Sequence, residues 1–135
     1  MARERSEYRC PCCGLVNIDE QVVEIDNKLI ERVGFKPDLT SACRCKKHDE
    51  KVQNINKEKG LKTTIYSSHL CEDPKEKGEQ AEKCEALDYA TTTSWARAVI
   101  LKTLFELEIQ RIGIGKDFIH WDIDKNKPFP VCWVY

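Results

Sequence analysis

IGIGKDFIHWDID, residues 112–124, changes character halfway along. Glycines at 113 and 115 give way to Phe118-Ile119-His120-Trp121-Asp122, which predicts a glycine-rich turn running into a short strand over 118–123. Alternate side chains of a strand share a face, so Phe118, His120 and Asp122 should point together. Asp117 falls in the turn, where it can curl back toward that same face. The chain has only three histidines, so each position counts. His69 stands in Ser67-Ser68-His69, and an aspartate follows in Ala86-Leu87-Asp88. His69, Asp88 and His120, drawn from separate segments, make a candidate three-ligand zinc set. A catalytic zinc keeps a fourth position open for water, so three protein ligands are what hydrolysis requires. His48, in the polar Lys46-Lys47-His48-Asp49, reads as an exposed histidine and stays outside the set.

Outward from this stretch, two helices frame the chain. Val22, Val23, Leu29, Ile30 and Val33 recur near helical spacing over 19–33, and Gly34 is a natural stop. A second helix is expected over 91–109, capped by Thr92, Thr93 or Ser94, with apolar surface from Trp95, Val99, Leu101, Leu104, Phe105 and Ile109. Short strands are expected at 36–40, 61–66 and 131–135, and a polar helical stretch runs from His48 to Lys59. Glu72 to Lys83 is rich in lysine and glutamate, which suits a solvated surface loop.

At 135 residues the chain is expected to be a single domain (1–135), too short for a hydrolase plus a separate wall-binding module. With 22 basic and 23 acidic residues and a net charge of −1, no polyanion-binding field is implied, so nucleic acid is not expected as a partner. No apolar run approaches a membrane span. The N-terminus, Met1-Ala2-Arg3-Glu4-Arg5-Ser6-Glu7, has no signal-peptide core, and cytoplasmic synthesis is the expectation. Eight cysteines without a secretion signal favour metal binding or free thiols over a disulfide framework.

These residues also carry a resemblance. Ser67-Ser68-His69 matches an S-x-H motif and Ala86-Leu87-Asp88 an A-x-D motif. Gly113 to Asp122 matches G-I-G-x-x-F-[IV]-H-x-D, and Thr40-Ser41-Ala42-Cys43-Arg44-Cys45 matches T-S-x-x-R-C. From about Tyr8 to Tyr135 the chain resembles the zinc D-Ala-D-Ala carboxypeptidases, in particular their small phage- and prophage-encoded, endolysin-like members. The resemblance implies an α+β fold, with a small antiparallel sheet carrying the zinc site and two main helices packed on it. It implies hydrolysis of peptidoglycan stem-peptide amides next to D-amino acids, by D,D-carboxypeptidase or L,D/D,D-endopeptidase action. It further implies one catalytic Zn2+ on His69, Asp88 and His120, with Arg44 at the active site contacting the substrate or the oxyanion. The general base of the family lies three residues before the last histidine as an acid, or two before it as histidine. Phe118 excludes the second variant, and Asp117 matches the first. Asp122 is expected to orient His120 or the strand itself from behind. The resemblance also implies a stem-peptide partner, a monomer, and release to the wall through a phage holin.

The sequence departs from the family in one stretch. His69 and Asp88 are nineteen residues apart, far more than usual, and the excess maps to an inserted loop at about 71–84. Cys71 and Cys84 flank the insertion and could clip its ends by a bond or a metal. Cys84 occupies the place of a family glycine, where a left-handed turn would be harder to form. The Cys-rich N-terminal segment, residues 8–14, supports a different reading. Cys10, Cys12 or Cys13, Cys43 and Cys45 could hold a second, structural zinc, although C-x-C spacing is tighter than the usual C-x-x-C. Were that the only metal, the chain would be a zinc-stabilised binding module. A degenerate family member that keeps fold and zinc without cleaving is a third alternative.

Overall fold

The computed structural model describes all residues except Lys62 and Ile65. Strands β1 (Leu39–Ser41), β2 (Ala86–Ala90), β3 (Arg111–Ile114), β4 (Phe118–Asp122) and β5 (Val131–Val134) form one sheet in the order β1-β2-β4-β3-β5. The pairings are antiparallel except β3 with β5, which run parallel. The expected antiparallel sheet is therefore mixed at one edge, and the fold is a single-domain α+β arrangement. Helices α1 (Glu20–Val33), α2 (Lys46–Glu58), α3 (Pro74–Lys77) and α4 (Ser94–Glu106) complete it.

The two long helical predictions are met for local reasons. Asp19 caps α1 by accepting the Gln21 N–H at 2.8 Å, and Gly34 ends it in the left-handed region at φ 81°. Thr93 caps α4 by accepting the Ala96 N–H at 3.0 Å. Ile100 and Leu104 of α4 are fully buried, whereas Trp95 and Phe105 stay exposed, so only part of the anticipated apolar surface faces inward. The polar helix begins at Lys46, two residues before His48. The strand expected at 61–66 falls partly on Lys62 and Ile65, outside the described residues; the described residues of that stretch belong to no strand. The insertion at 71–84 folds as the one-turn α3 followed by a 3-10 turn at Gly78–Gln80.

Strand alternation divides the sheet into two chemically different faces. Leu87 and Tyr89 of β2, Ile112 of β3, and Ile119 and Trp121 of β4 are buried in one core with Val22 and Leu29 of α1 and Ile100 and Leu104 of α4. Burying each such large side chain contributes roughly 1.5–3 kcal/mol. The intervening residues occupy the other face: Asp88 opposite His120, Arg111 opposite Asp122, and Gly113 opposite His120 from the second side. Residues 112–114, read from their glycines as a turn, are therefore a strand. The turn lies at Gly115–Asp117 instead, because β-branched isoleucines at 112 and 114 pack on the core face.

Candidate metal centre

The site is assembled on the polar face of the central strand β4. Register sets Asp88 beside His120, and a loop supplies His69. That loop is tied to the Arg44 segment by backbone bonds: Arg44 N–H to the His69 carbonyl at 3.0 Å, and Cys71 N–H to the Arg44 carbonyl at 2.9 Å. One ligand atom from each of His69, Asp88 and His120 lies within 4.8 Å of the others, and all three residues are buried. His69 Nε2 is 3.1 Å and His120 Nδ1 2.8 Å from the same oxygen, Asp88 Oδ1.

The outer nitrogens are spoken for. His69 Nδ1 lies 2.8 Å from the Ala42 carbonyl, which can only accept, so this nitrogen carries the proton and Nε2 presents its lone pair inward. His120 Nε2 lies 2.7 Å from Asp122 Oδ2. If it donates there, Nδ1 likewise presents a lone pair to Asp88. Two imidazole lone pairs and a carboxylate oxygen then converge on one point, a donor set that fits a divalent cation of imidazole–carboxylate preference. When the inward nitrogens carry protons instead, burial opposes ionisation of Asp88, but the charge of His69 and the hydrogen bonds from His120 and His69 outweigh it. Its carboxyl is held below the usual range. Asp122 is also held low; desolvation is overcome by its bond to His120 and by the Arg111 guanidinium, whose Nε–H donates at 2.7 Å.

Arg44 is drawn in toward the same centre. It is buried, donating to Ser41 Oγ at 2.9 Å and to Asp49 Oδ1 at 3.1 Å, with its other terminal nitrogen 3.8 Å from Asp88 Oδ2. Asp117 stands apart. Its side chain is exposed and has no hydrogen bond to His69, Asp88 or His120 among the described residues; its backbone carbonyl accepts from Thr91 N–H. His48 is partly exposed and outside the centre. Cys84 needs no left-handed backbone, since among the described residues Glu108 alone of the non-glycines has positive φ. Asp88 thus reaches the centre despite the long insertion.

The anticipated cysteine set is partly regrouped. Sulfurs of Cys10, Cys12, Cys13 and Cys45 lie within 4.8 Å of one another. Cys43 is not among them: its side chain points the other way, into the core against Cys71 and Cys84. The residues flanking the insertion are buried free thiols packed with Cys43. They meet there as apolar groups, the usual role of a buried cysteine.

Four contributors were not anticipated. Asp49 and Ser41 hold Arg44, Arg111 holds Asp122, and Trp133 of β5 lies 5.5 Å, ring to ring, from His120. The last strand lies at the sheet edge, and Trp133 is half-buried beside the site. Gly113 makes room for it, since a Cβ there would meet the indole at 2.5 Å. Arg111 could have been found from its position two before Gly113, on the polar parity of its strand. Asp49 offered no such signal.

Comparison with known proteins finds no matching family model, no matching curated protein and no matching solved structure.

Proposed function

We propose that the chain is a zinc metallopeptidase that hydrolyses peptidoglycan stem-peptide amides next to D-amino acids. The observation that carries this reading is the convergence of His69 Nε2, His120 Nδ1 and Asp88 Oδ1 in one buried cluster. The substrate class rests on the resemblance of the motifs around those residues. His69, Asp88 and His120 would hold the ion. When bound, zinc supplies Lewis acidity, which lowers a water's pKa toward roughly 7 and polarises a carbonyl.

The chain's own groups then have distinct tasks. Asp122, fixed by Arg111, holds the His120 ring in the orientation that turns Nδ1 inward. The Ala42 carbonyl does the same for His69. Arg44, 3.8 Å from Asp88 Oδ2 and propped by Asp49, is placed to fork onto a substrate carboxylate or onto the oxygen that becomes negative during attack. Asp117 is the candidate to take a proton from the attacking water and pass it to the leaving amine.

Zinc content and wall-peptide release, measured together on the wild type and on His120→Ala, test the reading. Loss of one zinc with loss of release is expected. Release that survives in His120→Ala would overturn it. Asp117→Asn is expected to abolish release with zinc retained; full activity would place the base elsewhere. The exposure of Asp117 favours a second reading, a family member that keeps fold and metal without cleaving. Zinc bound on His120 with no release from any wall preparation would select it.

A further inference from the structure

We propose that Cys10, Cys12, Cys13 and Cys45 form a second, closed tetrathiolate site for zinc, which staples the N-terminal segment to the start of α2. The metal assignment stands independently of the peptidase reading.

The geometry begins with a knuckle. In Cys10-Pro11-Cys12-Cys13-Gly14 the first and last cysteines have C-x-x-C spacing, and Gly14 turns the chain back at φ 76°. Gly14 N–H donates to the Cys10 carbonyl and Cys10 N–H to the Leu15 carbonyl, both at 2.8 Å. This tight loop presents three sulfurs on one side, and Cys45 brings the fourth from thirty-three residues beyond Cys12, at 3.4 Å from its sulfur. A tetrahedral zinc–sulfur cage with bonds of about 2.3 Å has sulfurs roughly 3.8 Å apart, and the four sulfurs here lie within 4.8 Å of one another.

Backbone donors suit thiolate at Cys10 and Cys45, whereas the hydrogen bond with Cys45 pushes the Cys12 thiol up. Cys45 N–H points at Cys10 Sγ at 3.5 Å, and His48 N–H at Cys45 Sγ at 3.4 Å. Cys45 is the N-cap of α2, so its sulfur sits at the positive end of the helix dipole. On binding, the thiols release their protons to solvent, and these N–H donors stabilise the charge left on sulfur. A four-sulfur set leaves no position for water, which makes the site structural. Disulfide formation between Cys12 and Cys45 is the competing chemistry.

The staple has a consequence within the fold. Cys45 starts α2, and Asp49 of its first turn holds Arg44 at 3.1 Å. Losing the metal should therefore loosen the first turn of α2 and the support of Arg44. The relevance of that loosening to substrate rests on the peptidase reading.

Cobalt titration of the full, reduced chain tests the proposal. Wild type should show the near-ultraviolet thiolate-to-cobalt absorption of one tetrahedral sulfur site. His120→Ala should keep that band, whereas Cys45→Ser and the exposed-position variant Cys13→Ser should lose it. Amide exchange in residues 46–49 should quicken in the variants that lose it. Absence of the band in reduced wild type overturns the proposal, as does its persistence in both cysteine variants. Cobalt bound without that band in wild type, and no longer bound in His120→Ala, would assign the metal to the histidine centre. That pattern would defeat this proposal while leaving the peptidase reading standing.

Discussion

Two aspartates lie buried on opposite faces of the same sheet, and their surroundings differ in kind. Asp26 of α1 is fully buried. It accepts from Tyr8 O–H at 2.6 Å, Tyr89 O–H at 2.7 Å and Arg3 Nε–H at 2.8 Å. Every partner is a donor, and the guanidinium neutralises the charge. Asp88 has one distant guanidinium and two imidazole nitrogens, whose outer positions already face Ala42 and Asp122. The first arrangement is complete as it stands; the second becomes complete only with a cation, as added protons on the rings or as a metal. Burial of a carboxylate does not mark a site. The balance between donors and lone pairs around it does.

Substitutions should separate the two aspartates, and the largest effect is expected at the histidine centre. Asp88→Asn should bring wall-peptide release to background and remove one metal equivalent, with the urea midpoint of the metal-free protein little changed. A metal content unaltered by this change would erase the distinction. Asp26→Asn should do the reverse. It strands the Arg3 guanidinium in the core and should cost roughly 3–5 kcal/mol in urea unfolding, while zinc per folded chain is retained.

Smaller effects sharpen the contrast. Tyr8→Phe and Tyr89→Phe each remove a hydrogen bond to a charged acceptor, at about 1.5–3 kcal/mol. Both phenols are raised above their ordinary value of 10.0, by burial first and by the Asp26 bond and charge next. The folded state then holds these protons more tightly than the unfolded state. Their contribution is therefore fully present below pH 10.0 and is lost as pH rises beyond it. The double phenylalanine variant should flatten the alkaline limb of the stability profile; an unchanged limb would place the titration elsewhere. Smallest of all, Gly113→Ala should push the Trp133 indole off His120 for about 1 kcal/mol, visible as a shifted indole N–H resonance. An unmoved resonance would show that the sheet, rather than the ring, absorbs the added methyl.

The difference between the two aspartates was only partly visible in the amino-acid order. Asp88 and His120 sit in short motifs with a chemical signature, and both reach the same cluster. Asp26 lies in the middle of a helix among lysine, glutamate and asparagine, where nothing distinguishes it from a solvated carboxylate. Its role depends on Arg3 and Tyr89, respectively 23 and 63 residues away. Asp117 illustrates the converse. Its spacing from His120 suggested proximity, but one turn residue more or less changes the direction of a side chain, and the fold leaves it exposed.

By itself, the sequence determined what depends on near neighbours. Helical periodicity, the caps at Asp19 and Thr93, the glycine stop at 34, and the alternation that puts His120 and Asp122 on one face are of this kind. Tertiary structure alone decided which distant groups meet. Strand register placed Asp88 beside His120 across a nineteen-residue gap that begins at His69. Packing turned Cys43 toward Cys71 and Cys84 and left Cys45 to complete the knuckle. The parallel pairing of β3 with β5 carried Trp133 over Gly113. The physical reason is the range of the forces involved. Backbone propensities act within a turn or two, whereas the choice among distant partners is made by burying one face of the sheet and satisfying every polar group left on the other.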